Sequence, residues 1–239
     1  MSFDPYEFDR GYGSSARGLS EGEYTARTFL WMVLGLMVTF GVAVLCWLTN
    51  VTIYALILIP AVQVIVLIAT LILSFLMVRR IERMSVATAR TMFLVFSALF
   101  GFTMSIYLLI YDLASLVFAF LATALYFGVL AVYGRLTGRD LSGVRPILFS
   151  GLLFLVIFGV ISLFIPALSV FDSIVCLIGI AVFLGYTAYD TQRIRAFYHY
   201  YAGYPDMLEK ASIFAALQLY LDFVNLFLYL LRFLGRRRD

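Results

Sequence analysis

Asp222 lies within the apolar run ASIFAALQLYLDFVNLFLYLLRFLG, a place where a charge is expensive. A carboxylate at the centre of a membrane-spanning helix costs roughly 2.5–3.5 kcal/mol on insertion scales, so it faces a bundle interior, a water-filled path or a partner. Gln218, Asp222, Asn225 and Tyr229 recur at i, i+4, i+7 and i+11, which gathers them on one helical face. Leu219, Leu221, Phe223 and Phe227 are then expected to cover the other sides. The second acidic candidate is Asp190 in FLGYTAYDTQRIR, with Tyr186 one turn before it and Arg193 just after. This position reads as the end of an apolar segment, where a solvated charge is an equally good account. If the two carboxyls come within hydrogen-bonding range they cannot both ionise cheaply, and one proton is shared between them. Such a pair suits proton sensing near physiological pH, and it offers oxygen ligands to a hard cation. Arg79 and Arg83, four residues apart, present one helical face at the end of another apolar segment. Either can pair with an aspartate and hold a bundle shut until protonation releases it, or serve as a simple interfacial anchor.

Other residues carry less chemistry. His199 is the single histidine and sits among Tyr198, Tyr200 and Tyr201, which reads as surface rather than as a metal ligand. Cys46 and Cys176 both fall inside apolar segments, so no disulfide framework is expected. No Cys/His cluster, phosphate loop or nucleophile elbow occurs, and the net charge of +3 points to no nucleic-acid site. Ser97, Gly101 and Ser105 form a small-xxx-small stripe that reads as close helix packing. Asp112 and Asp172 fall between apolar segments in connections without basic residues, where they read as solvated loop charge or as a weak attractor for cations.

The elements that must position these residues are transmembrane helices. Of 239 residues, 64% are hydrophobic and 13% charged, against about half and a quarter in soluble domains. Spanning the hydrocarbon core takes about 20 mainly apolar residues as a helix, because lipid offers backbone groups no partners. Seven such segments are predicted: 27–49, 53–78 with Pro60 tolerated near its start, 87–111, 115–133, 146–165, 174–190 and 213–234. The organisation expected is a polar cytoplasmic leader over 1–26, a single transmembrane domain over 27–235 and a basic tail over 236–239. The leader is expected to be no signal peptide, and Ser20 and Glu23 have capping-box spacing before the first segment.

Basic residues set the topology. Arg10, Arg17 and Arg27 precede the first segment. Arg79, Arg80, Arg83 and Arg90 lie between the second and third, Arg135, Arg139 and Arg145 between the fourth and fifth, and Arg193, Arg195 and Lys210 between the sixth and seventh. The connections around Asn50, Asp112 and Asp172 contain no Lys or Arg, which places the N-terminus and the even-numbered connections in the cytoplasm. The tail with Arg232, Arg236, Arg237 and Arg238 breaks this rule if all seven segments cross. A seventh helix packed inside the bundle is the favoured explanation, with the side of the C-terminus open.

The motifs GYTAYDTQRIR (185–195), QLYLDFVNLFLYLLRFLG (218–235), GRDLSG (138–143) and ERMSVATARTMFLVFSALFGFTMSIY (82–107) together resemble the transmembrane Bax-inhibitor-motif family in its bacterial branch. Their order and spacing match along nearly the whole chain after the leader. The resemblance implies an all-α polytopic membrane protein, a seven-helix bundle with the C-terminal helix central and the other six around it. It implies a pH-sensitive calcium leak in the bacterial inner membrane, with no tightly bound cofactor and calcium as the permeant or bound ion. It also implies that Asp190 and Asp222 form a hydrogen-bonded pair contacted by an arginine from the end of the second helix. Ungapped counting back from GFTMS gives Arg83 for that arginine, and matching the apolar end of the segment gives Arg79. An acidic residue that some members carry in the second helix has no counterpart, Gln63 being the strongly polar interior residue there.

Two function classes therefore compete. One is a passive calcium leak gated by the aspartate pair; the other is a non-conducting regulator that binds other membrane proteins, such as a quality-control protease. An enzyme is not expected, since the paired carboxylates lack a nucleophile or metal set and the motif context of an intramembrane protease. The partners expected are the bilayer, calcium and other membrane proteins, without nucleic acid.

Overall fold

A computed structural model describes residues 19–80 and 83–236. Most of the expected leader, with Arg10 and Arg17, and the end of the basic tail, with Arg237 and Arg238, lie outside the described residues. The described chain runs α1 (Glu21–Leu48), α2 (Val51–Leu58), α3 (Val62–Arg80), α4 (Val86–Met104), α5 (Tyr107–Ile110), α6 (Leu113–Leu136), α7 (Arg145–Phe164), α8 (Asp172–Tyr200) and α9 (Pro205–Leu234). Seven helical stretches in this order are long and apolar enough to cross a membrane, with no strand among the described residues.

Local chemistry sets the helix ends. Ser20 and Glu23 form the predicted capping box, with Ser20 accepting from the Glu23 amide and donating its own amide to the Glu23 carboxylate at 2.8 Å. Asn50 turns the chain from α1 into α2 in the left-handed region (φ 56°), which asparagine tolerates better than most residues. Pro60 is not tolerated as expected, and the helix predicted over 53–78 is broken. Proline has no amide hydrogen and its ring clashes with the carbonyl four residues back. The preceding Ile59 leaves the helical region (φ −135°, ψ 88°), and α3 restarts at Val62. The last two spans are longer than predicted: α8 has 29 residues and α9 has 30, or roughly 45 Å each at 1.5 Å per residue. Both overrun a hydrocarbon core of about 30 Å.

The bundle has two chemically distinct ends. At the basic end, Arg195 near the end of α8 donates to Glu21 at the start of α1 at 2.9 Å. There too, Glu209 near the start of α9 binds Arg27 of α1 at 3.4 Å and Arg90 of α4. At the far end, Thr52 of α2 meets Ser105 after α4 at 2.5 Å. Asp172 at the start of α8 receives Arg232 of α9 at 3.1 Å. The amide of Arg236 donates to Ser115 near the start of α6 at 3.0 Å. Helix α9 thus runs the full length of the bundle, and the chain enters and leaves at opposite ends. The arginine of the tail supplies the partner that the sequence left missing from Asp172.

Helix α9 is the most buried span: 61% of its most apolar stretch is buried, against 11% to 33% in the other six. Its main neighbours are α1, α4, α6 and α8. Burial extends around nearly the whole helix, to Leu219, Tyr220, Phe223 and Leu226 as well as Asp222. Of the polar stripe foreseen on one face, only Asp222 is buried; Gln218, Asn225 and Tyr229 are half-buried, and Leu219 and Phe223, expected to cover the other sides, lie deeper. Tyr220 carries much of this packing. Its ring meets Phe93, Phe96 and Phe100 of α4 edge-on at 5.6–6.0 Å, and its hydroxyl lies 2.6 Å from Thr39 of α1.

Candidate functional site

Asp190 and Asp222 stand on adjacent, tightly packed helices, α8 and α9. Their exposures are 6% and 4%. Asp190 is not at a helix end, because α8 continues through Tyr200, and the solvated reading of this carboxylate is corrected by its burial. The two carboxyls are near enough for the charge of one to act on the other, and both act on Tyr186, one turn before Asp190. Oδ1 of Asp190 and Oδ2 of Asp222 are buried without a hydrogen-bond partner among the described residues. For Asp222 this state is costly, since Oδ2 loses its water without gaining a donor, whereas Oδ1 of Asp190 keeps the attraction of a nearby guanidinium.

The arginines beside Asp190 are Arg193 and Arg145. Nη1 of Arg193 lies 3.5 Å from Oδ1 of Asp190, one turn along α8. Its guanidinium also stands over the rings of Phe197 and Tyr189, at 4.9 and 5.6 Å. The charge of Arg145, the first residue of α7, reaches Asp190 as well. Arg79 and Arg83 stand differently from expectation. Both are exposed, with the Arg79 guanidinium over its own helix's Phe75 ring at 5.0 Å and Arg83 in the turn after α3. The spacing of Asp190 and Arg193 held this contact, whereas Arg145 reaches the site through the fold. Gln63, near the start of α3, has both amide atoms buried without a partner among the described residues.

Gln192, one turn beyond Ala188, fixes the connection from α6 to α7 above this site. Its Oε1 accepts from the Leu141 amide at 2.9 Å and its Nε2 donates to the Arg139 carbonyl at 2.7 Å. Asp140 shapes the same loop by accepting from the Ser142 amide and hydroxyl, both at 2.8 Å. The Ser142 amide, then its hydroxyl, holds the Asp140 carboxyl below its ordinary range. The carboxylate form therefore persists from neutrality down through that range and is lost only as pH falls through the lowered value. A response near neutral pH does not originate there. Below the loop, α6 and α8 meet backbone to backbone, since a Cβ at Gly134 would run into the Ala188 carbonyl.

The remaining candidates fall into structural positions. Thr39 donates to the Ser97 carbonyl at 2.9 Å, and a Cβ on Gly101 would lie 2.6 Å from the Thr39 carbonyl oxygen, so the small-residue stripe packs α4 on α1. Asp112 caps α6 by accepting from Ser115 at 2.5 Å. His199 is largely exposed in the last turn of α8, 3.3 Å from Glu21. Lys210 is buried and donates to the Met84 carbonyl at 3.3 Å.

Among the described residues no group of three or more His, Cys, Asp and Glu side chains is placed to hold a metal. Calcium takes six to eight oxygens, so two carboxyls make up only part of a shell, and water must complete it. Such a donor set suits an ion in passage better than a resident one.

Comparison with known proteins agrees with this architecture. The family described as Inhibitor of apoptosis-promoting Bax1 matches residues 22–239. A protein of Rickettsia prowazekii is 38% identical over 216 residues, covering 90% of each chain. The inner membrane protein YbhL of Escherichia coli is 36% identical over 219 residues, covering 90% of this chain and 92% of its own. A protein of Borreliella burgdorferi is 35% identical over 227 residues, covering 92% and 95%. With a family match that spans the whole described bundle and relatives covered almost end to end, the chain belongs to the Bax inhibitor family of polytopic membrane proteins.

Proposed function

We propose that this protein is a passive calcium leak of the bacterial inner membrane whose opening follows protonation of Asp190 and Asp222. The observation that carries the reading is the burial of two neighbouring carboxyls inside adjacent spanning helices, with Oδ2 of Asp222 lacking a partner among the described residues and Oδ1 of Asp190 held only by the ion pair to Arg193. A carboxylate so placed is stabilised by a proton, a cation or a guanidinium, and these compete. Arg193 pairs with Asp190 within α8, and a proton on Asp190 removes that attraction and frees the guanidinium beside the second carboxyl. Arg79 and Arg83 serve this gate only in a conformation that brings the end of α3 to the pair. The N-terminus is assigned to the cytoplasm by the arginines of the basic end. No catalysis and no tightly bound cofactor belong to this reading, and calcium is its cargo.

Purified protein in liposomes loaded with a calcium dye tests the proposal across a pH series. The Asp222→Asn variant is expected to differ from wild type by about tenfold in flux at one end of the series, the effect of ~1.4 kcal/mol on the gate. Equal flux from the two proteins at every pH overturns the gate.

A second reading, a non-conducting regulator of other membrane proteins, is favoured by the exposed Arg236 at the far end. A stoichiometric partner captured from native membranes, together with absence of flux, selects it over the leak.

A further inference from the structure

Helices α1 and α6 both pack on α9 and leave a groove between them. The groove is floored by Phe223, Val224 and Phe227 of α9. Its outer part is a 230 Å³ cavity reaching Trp47 and Leu113 at the far end of the bundle. A second cavity of 340 Å³ shares Leu36, Phe120 and Phe223 with the first and continues inward to Met32 and Phe127. From Met32 to Trp47 the groove runs along α1 for roughly 22 Å at 1.5 Å per residue, more than the ~15 Å depth of one leaflet's hydrocarbon. Its rim residues Phe40, Leu113 and Val117 are 65%, 61% and 51% exposed, so the groove opens sideways where the bilayer lies. Its hydroxyl at Thr39 is engaged by the Ser97 carbonyl and Tyr220. Besides Thr39, the lining carries polar tips only on Trp47, Tyr107 and Tyr111, and a cavity so largely apolar takes up apolar ligands.

An exposed arginine stands at the mouth of this groove. Gly235 lies against the ring of Tyr111, where an added Cβ would stand 2.9 Å away, and the Asp112 amide donates to the Arg236 carbonyl at 3.3 Å. These contacts pin the chain end beside Leu113 and leave the Arg236 side chain exposed. Arg237 and Arg238 follow in sequence. The neighbouring Asp112 carboxylate is turned onto Ser115, and Arg232 is paired with Asp172. We propose that the groove between α1 and α6 binds one acyl chain of an anionic phospholipid, whose headgroup phosphate meets Arg236 at the mouth. The occupant is a lipid because the groove is continuous with the bilayer along its length. It is an anionic one because the exposed Arg236 guanidinium has no ion pair among the described residues, while the nearby Asp112 carboxylate is engaged by the Ser115 amide and hydroxyl.

Trp47 in the groove and Trp31 are the chain's two tryptophans. In the Trp31→Phe protein, Trp47 alone reports. The protein is reconstituted in phosphatidylcholine vesicles with a small fraction of either dibrominated phosphatidylglycerol or dibrominated phosphatidylcholine. At equal fractions the anionic lipid is expected to quench Trp47 about fivefold more effectively, the selectivity of one arginine near the surface. Arg236→Gln should bring the two lipids close together. The Val44→Phe/Val117→Phe pair, which fills the groove from both walls, should lower the quenching by both. Val129→Phe, elsewhere on the exposed side of α6, should change neither and controls for folding. Equal quenching by the two lipids in the reference protein overturns the proposal, as does full selectivity in the filled variant. Quenching that falls as the protein-to-lipid ratio rises means that a second copy of the chain occupies the groove, and also overturns it.

Discussion

At Gln192 a single amide reads two backbone groups of the α6–α7 connection, and this side chain has no apolar equivalent. Leucine of similar size leaves the Leu141 amide and Arg139 carbonyl to find water, and each lost bond costs about 1 kcal/mol. Gln192→Leu is therefore expected to free the loop without unfolding the bundle, and trypsin cleavage after Arg139 should rise roughly tenfold. Unchanged cleavage would mean that Asp140 and Ser142 hold the loop alone. The two aspartates were legible because each is a carboxylate in or beside an apolar run, and the cost of a charge in lipid is enough to single out such a residue. Arg145 was not legible as a neighbour of Asp190, because the contact joins the start of α7 to the middle of α8 and depends on how α6 packs. Arg79 and Arg83 stood out by their shared helical face at the end of an apolar segment and by the family resemblance, whereas the local spacing of three residues to Arg193 is the geometry seen.

The helices differ in what holds them. Helix α4 lies on α1 through atoms that leave no room for a side chain at Gly101. Gly101→Val must push Thr39 aside and with it the hydrogen bond to Tyr220. An overpacked contact of this kind costs about 1–3 kcal/mol. We expect thermal unfolding in detergent to begin several degrees lower, whereas Gly128→Val, with open space around its Cβ, should leave it unchanged. Comparable midpoints for both would remove the packing role of the Ser97, Gly101 and Ser105 stripe. That stripe was readable from its period of four. The break at Pro60 was underestimated, since a proline near a helix start is often harmless, and only the eight residues of α2 before it turn this one into an interruption. Likewise the ends of α8 and α9 fall beyond the apolar runs, because polar residues such as Gln192 and Glu209 continue the helices into the basic end.

At the scale of the whole bundle, hydrophobic runs and arginine placement gave seven crossings without any tertiary information. The far-end position of the chain terminus required one contact, between Asp172 and Arg232, that joins residues sixty apart in sequence. The crossing of α8 has a direct test. With Cys46 and Cys176 replaced by alanine, a cysteine at Ser169 and one at His199 should react with an impermeant maleimide from opposite sides of the membrane. Labelling of both from one side would contradict the full crossing of α8. Under the proposed orientation, His199→Cys is the protected position in intact spheroplasts.

The burial of α9 also bears on how the molecule is made. The helix that fits most closely among the others is the last of the seven spans to leave the ribosome, and it is the least apolar of them. Its neighbours α1, α4, α6 and α8 must enter the bilayer and wait as a loosened assembly with an unfilled interior. Arrival of α9, rather than insertion of any earlier span, is then the event that closes the core. A chain ending before Pro205 would be a membrane-inserted but incomplete product, and it would present Phe93 and Phe96, stripped of Tyr220, to whatever surveillance the cell maintains.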